Sequence, residues 1–521
     1  MPDIEYIVAN KTEVELALEE KVDKVTGKEL SDNNYTGTEQ SKVANLPEDT
    51  NSEISTINNR LEVLEGTADK VFAVAFTGTD TIGVREGDAV GMVANCAVDD
   101  EVVVNDFDNT VIWDRPMCDV IFDASGNPEV VAYKGEPGYD ATSPSGLICY
   151  EQVAFCWNES VMNPAISLLP KENTSWGNLK LYPEFDYVGQ RKYYPAYWMS
   201  DADSKSGVMP ANYSLNSAMT EVRTFNANAH TETLSQRIME WILMSIEFAT
   251  RDPQIDVAMG FSSGAYSDSH VATVTETAVN RIIVANATAD NFVVGQSIAI
   301  GSARTNATIS TTPRKVTDIT VYDVDNKAIE FDGSAIDVTT GNVVANRAWI
   351  NGATDIITAS VGTLGDKVSG KYPLIYRGKV SPYADAYSWL CDILIQRYGD
   401  GSGTPYSYVP FRINDPTNYN AGAITSDYTT LDFELATSDG YVSTLGANEN
   451  YPHLLLQTAV GGNENQNFSA YSLYPRHDVT AVPAGGFWIN GRSCSPLFFS
   501  CSVQPSHSSI SVLARLVVKI P

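Results

Sequence analysis

The sequence predicts a mixed α+β, β-rich chain, and three observations carry that reading. Aromatic residues make up 10% of the 521 positions, and 36 Gly and 24 Pro are spread throughout, a texture of short strands and turns rather than of helices. Runs of Val, Ile, Phe and Tyr recur between turn signals, whereas one stretch alone, LSQRIMEWILMSIEFATRDPQ, has the length and period of a body helix. The chain length allows several domains of ordinary size and a sizeable core.

In chain order, residues 1–70 read as a trimerisation and attachment segment. Thr12 with Glu15 and Thr50 with Glu53 have capping-box spacing. Behind them Leu18, Val22 and Val25 precede Gly27, and Ile54, Ile57, Leu61 and Leu64 precede Gly66. Two heptads do not hold a lone helix in water, so these stripes pack either on the body of the same chain or, as expected here, against copies of themselves in a short coiled coil. Residues 71–267 open with the strand candidates VFAVAF, EVVVNDF, TVIWD, DVIFD and EVVAYKG, which form a small β region at the start of a larger body. The long helix follows, with Ile238, Trp241, Ile242, Ser245, Phe248 and Ala249 on one face and Pro253 as its stop. Residues 268–350 are rich in Val, Ile and Thr with frequent turns and read as an inserted β module. In residues 351–521, SPYADAYSWLCDILI reads as a second helix, because Ala386, Leu390 and Ile393 share a side.

Composition limits the function. A net charge of -31 repels polyanions and argues against a nucleic-acid partner. No run of 18 uncharged apolar residues and no secretory signal is visible, so synthesis in a cytoplasm without membrane insertion is expected. Seven cysteines without a CxxC pair predict reduced, buried thiols rather than a disulfide framework or a zinc site. Asp323, Asp325 and Asn326 begin like a calcium loop but lack its Gly and closing Glu. No cofactor or metal is therefore expected. The C-terminus is unusual in another way: residues 479–518 contain no Asp, Glu or Lys, while eight serines fall between Ser493 and Ser511 among Phe498, Phe499, Cys494, Cys501, Pro505 and His507. Small hydroxyls mixed with aromatics suit adaptable contact surfaces.

Two resemblances sharpen the expectation. KVDKVTGKELSDNNYTGTEQSKVANL resembles linker modules near the N-termini of bacteriophage tail fibres and baseplate-attached receptor-binding proteins. That likeness implies attachment to other tail or baseplate proteins and trimeric assembly. The helix LSQRIMEWILMSIEFATRDPQ, the stretch LIYRGKVSPYADAYSWLCDILI and the C-terminal GGFWINGRSCSPLFFSCSVQPSHSSISVLARLVV follow the order of phage receptor-binding proteins with a C-type lectin fold. Among these are the variable proteins of diversity-generating retroelements, and formylglycine-generating enzymes share the fold. The resemblance spans roughly 85–265 and 350–521 and implies a C-type lectin (formylglycine-generating-enzyme-like) body. Tyr376, Arg377, Gly378 and Pro382 match its second helix opening, with Trp389 and Asp392 inside. Gly485, Gly486, Trp488, Gly491, Phe498, Ser508 or Ser509, Arg515 and Leu516 match scaffold positions around a variable display region, 485–515. The residues between are the expected receptor contacts: Phe487, Ile489, Asn490, Arg492, Ser493, Cys494, Phe499, Cys501, Val503, Gln504, Pro505 and His507. Ser495, Pro496 and Leu513 depart from the family pattern.

The implied function is a non-enzymatic tail-tip component of a virion that recognises a host cell-surface protein or glycan. The alternatives are a structural tail or baseplate protein without its own receptor, and an enzyme using Cys494 and Cys501, whose thiols then need a lowered pKa from His507 or Arg492. A depolymerase needs paired carboxylates; Glu240, Glu247 and Asp385 are the acids weighed for it, and a salt-bridged or solvated role is expected of each.

Overall fold

In a computed structural model, residues 67–98 and 102–521 are described, and residues 69–521 form one compact unit. The expected coiled coil and linker fall outside the described residues. Among the described residues, strands take 35% and helices 10%. The N-terminal part builds two sheets: a six-stranded one that begins at the edge strand Val84–Gly87 and its neighbour Val71–Ala75, and a four-stranded one of Arg191–Pro195, Leu147–Val153, Met117–Phe122 and Pro128–Tyr133. VFAVAF, DVIFD and EVVAYKG thus contribute strands. EVVVNDF and TVIWD do not, because Phe107 and Trp113 are drawn into an aromatic cluster with Phe72 through a short 3-10 turn.

The inserted stretch forms its own five-stranded antiparallel sheet, ordered Arg281–Ala285, Asn326–Phe331, Arg314–Val321, Ser297–Gly301, Val343–Asn346. Ile282, Val284, Phe292, Ile298, Ile329 and Val344 fill a core of its own. Its two ends meet, since the Asn346 N–H donates to the Ala265 carbonyl at 2.9 Å. Asp323 caps a turn in it, its Oδ1 accepting from the amides of Asp325 and Asn326.

The largest sheet has nine strands and is built around Tyr387–Tyr398, flanked by Ser407–Ile413 and Val479–Ala484. This overturns the second helix and, with it, the C-type lectin body expected from the resemblance. Ser381, Ala384 and Asp385 take φ of 47°, 58° and 54°, left-handed values that no helix start tolerates. The strand that follows is buried on both faces over its first nine residues, so its apolar run carries no alternation and imitates a helical period.

Two body helices sit against these sheets, α1 (Leu215–Phe225) and α2 (Leu234–Phe248), each opened by a full capping box at Ser214 and Thr233. The sequence places α2 correctly, although it ends on the left-handed Ala249 rather than at Pro253, which starts a further short turn. All fifteen residues of α2 are buried, so the expected apolar face is only half of the account. On its other side Arg237, Glu240 and Glu247 meet charges from distant segments. Glu240 takes both guanidinium nitrogens of Arg115 at 2.6 and 3.0 Å and the Tyr150 hydroxyl at 2.8 Å. Lys379 links it to Glu232 at 2.6 Å, which also pairs with Arg237 at 2.5 Å. Glu247 pairs with Arg377 at 2.6 Å and accepts from Tyr376 and Asn105 at 2.9 and 2.8 Å.

Burial alone raises the Glu240 and Glu232 carboxyls, but Arg115 and Lys379 on the first, and Arg237 and Lys379 on the second, outweigh it and hold both at about 2. A depressed folded value stabilises above the unfolded carboxylate range near 4.5, and that contribution disappears as pH falls toward 2. Glu240→Ala strands Arg115 and is expected to cost about 3–5 kcal/mol in chemical denaturation at pH 7. Its stability below pH 4 should fall less steeply than that of the parent chain. Replacing residues 268–345 by a short Gly-Ser bridge should leave α2 and the nine-stranded sheet folded, as read by near-ultraviolet dichroism; loss of that signal would assign the module to the common core.

Candidate functional site

The expected display region leaves the strand Val479–Ala484 through Gly485 and Gly486, at φ of 101° and 80°. A Cβ at Gly486 would lie 2.6 Å from Cys494 Sγ, so the residue type is set by backbone angle and by close approach together. Trp488 then inserts into a cluster with Trp198, Phe261, Trp349 and Leu513 and is fully buried. The backbone around it is stitched to the segment after α2: the Trp488 carbonyl accepts from Gly264, the Gly491 amide donates to Ser262, and Gln254 Nε2 donates to the Gly491 carbonyl.

Arg492 closes this attachment. Its guanidinium grips both oxygens of Asp252 at 3.0 and 2.5 Å, and Asp252 is buried while capping the short turn Pro253–Asp256. Arg492 is therefore a clamp as much as a surface group. Phe487 is half-buried over Tyr387, whose ring also meets Phe498. Asn490 turns inward to accept the Phe487 amide at 2.8 Å, and Ser493 lies 3.3 Å from the Tyr441 hydroxyl.

Four of the expected contacts are not on the surface. Cys494, Phe499, Cys501 and Pro505 are buried, which corrects their place in the display set. Phe499 sits in a strand between Ala484 and Ser472; Pro505 packs on Gly422. Burial pushes the Cys494 thiol up, and the Cys501 thiol up to about 12 beside Gln457, opposite to what a catalytic thiolate requires. Glu240 and Glu247 are committed to buried ion pairs, and Asp385 is buried, accepting the Trp349 amide at 3.1 Å.

What remains accessible is a smaller set. Ile489, 48% exposed, stands with half-buried Phe487, Asn490, Arg492 and Ser493; Gln504 and His507 are exposed on a turn beyond half-buried Val503. Trp488 and Phe498, expected as scaffold, are buried at 0% and 1%. Arg515 is buried as well, donating to the carbonyls of Ala196 and Ser381 and stacked 3.8 Å over Trp198. The sequence reading missed the neighbours that border this surface, Tyr441, Glu464 and Asn465, which reach it through the fold and carry no local signal.

Among the described residues, no group of three His, Cys, Asp or Glu side chains is placed to hold a metal ion, and no helix is long and apolar enough to cross a membrane. No protein-family model and no curated protein matches the chain.

The clamp and the exposed residues should separate by stability. Arg492→Ala leaves a buried carboxylate without its partner and is expected to cost about 1.5–3 kcal/mol. Alanine at Ile489, Gln504 or His507 should stay within about 0.5 kcal/mol, as measured by thermal or urea unfolding.

Proposed function

We propose that the chain is a receptor-binding component of a bacteriophage tail, carried at the tail tip through its N-terminal segment as a homotrimer, and that it contacts the host surface with residues 487–507. The observation that carries this is the construction of that segment. It is almost without regular secondary structure, yet Trp488, Phe498 and Phe499 anchor it from within and the Arg492–Asp252 pair pins it from outside. Loops held by a rigid scaffold are where recognition usually resides, and holding them fixed lowers the ordering cost of binding.

The linker likeness at the N-terminus supports the virion setting, and the charge of -31 suits a protein held at high local concentration without nucleic acid. Ile82, Val84, Val90, Val93, Val102 and Val104 are exposed.

The test is adsorption. Ile489→Ala, Gln504→Ala and His507→Ala combined should abolish binding of the purified protein to host cells while the melting temperature stays unchanged. Unimpaired adsorption with that triple variant would leave a structural tail protein as the better reading.

A further inference from the structure

A second feature lies away from residues 487–507 and shares no residue with them. A cavity of about 260 Å³ opens at the N-terminal end of α2, between the strands Arg191–Pro195, Ser407–Ile413 and Val517–Val518. That volume is many times the roughly 10–15 Å³ one water needs and just under the roughly 300 Å³ where drug-sized pockets begin. It has room for one ring.

The wall is polar by design of the fold. In the long strand the pairing with Val479–Ala484 slips between Leu390 and Leu394, a bulge that turns Cys391 and Asp392 toward α2. The Leu234 amide donates to Asp392 Oδ1 at 2.8 Å and the Cys391 amide to the Glu232 carbonyl. Of the charged lining residues, Glu184, Asp186 and Asp392 are balanced by Lys192, Arg412 and Lys519. Most of these groups are engaged: Lys192 with Asp186, Lys519 with Asp415, and Glu184 with Gln236 and Tyr194.

Three groups are not. Ser235 Oγ and His453 Nδ1 are buried without a hydrogen-bond partner, in side chains only 8% exposed. The Arg412 guanidinium lies 4.2 Å over the Tyr451 ring and makes no ion pair or hydrogen bond among the described residues. Buried polar atoms are rarely left unmatched. Burial also holds His453 near 3, so its ring is neutral, and raises the Asp392 carboxyl to about 7, where it can donate a proton.

We propose that this cavity binds a single sugar ring. A sugar presents several hydroxyls, each donating and accepting at once, which suits a wall that mixes Ser235, the neutral His453 and Arg412. A phosphate would meet cations already offset by Asp186, Asp415 and Asp392, and an apolar ligand would leave the polar wall unmatched.

The experiment titrates the full chain with D-glucose, D-galactose, N-acetyl-D-glucosamine and D-glucuronate, and with inorganic phosphate, by saturation-transfer NMR and calorimetry. At least one sugar should bind saturably with Kd of about 0.1–10 mM. Ser235→Ala and Arg412→Gln should each weaken it about tenfold or more with unchanged melting temperature. Absence of binding by all four sugars, phosphate binding in their place, or sugar binding unaffected by both variants would overturn the assignment. Because these variants leave 487–507 intact, failure here is distinct from failure of the adsorption test.

Discussion

The fold turns on one buried helix that carries charge. With all fifteen residues of α2 out of water, Arg237, Glu240 and Glu247 are tolerable only if opposite charges arrive with good geometry, because an unpaired ion in the interior is prohibitively costly. Those partners come from segments far apart in sequence: Asn105 and Arg115 before the first four-stranded sheet is complete, Tyr150 within it, and Tyr376, Arg377 and Lys379 after the inserted module. A packed aliphatic helix could have given equal stability. The ionic stripe adds selectivity, since a register that moves any one partner leaves a carboxylate exposed to nothing.

This explains which parts of the structure were legible in the sequence. The position of α2 was readable because its apolar half keeps helical spacing. Its complete burial was not, because Arg and Glu ordinarily signal solvent, and only the arrival of Arg115, Lys379 and Arg377 reverses that meaning. The strands between 281 and 346 were legible through their β-branched texture, and they pair into one five-stranded sheet. The misread helix at 381–395 has a specific cause. A strand buried on both faces loses its period of two, and the left-handed turn that precedes it is made by Ser381, Ala384 and Asp385 rather than by a telltale Gly. With that strand at the centre of a nine-stranded sheet, the lectin-type body inferred from the same segment falls too.

The cavity at the start of α2 was not legible at all, for a related reason. Asp392, Ser235, Arg412 and His453 are single polar letters inside strands and a helix, and nothing in their spacing distinguishes them from residues that satisfy each other. They converge because a bulge in one strand re-aims Asp392 at the helix terminus, and register slips of that kind have no sequence signature here beyond an acid in an apolar run.

The acid-free C-terminus shows how one compositional signal can have two origins. Absence of Asp, Glu and Lys from 479–518 reads as a display surface, yet most of 481–501 is interior, and carboxylates are missing there because they would be buried without partners. Cys494, Phe499, Cys501 and Pro505 belong to that core. The exposed remainder, Ile489, Gln504 and His507 with the half-buried Phe487 and Ser493, offers few anchors, and a few anchors supply most of the energy in any interface. A face with so few anchors would bind weakly alone, and the proposed trimer would raise its effective affinity by linkage without any new contact.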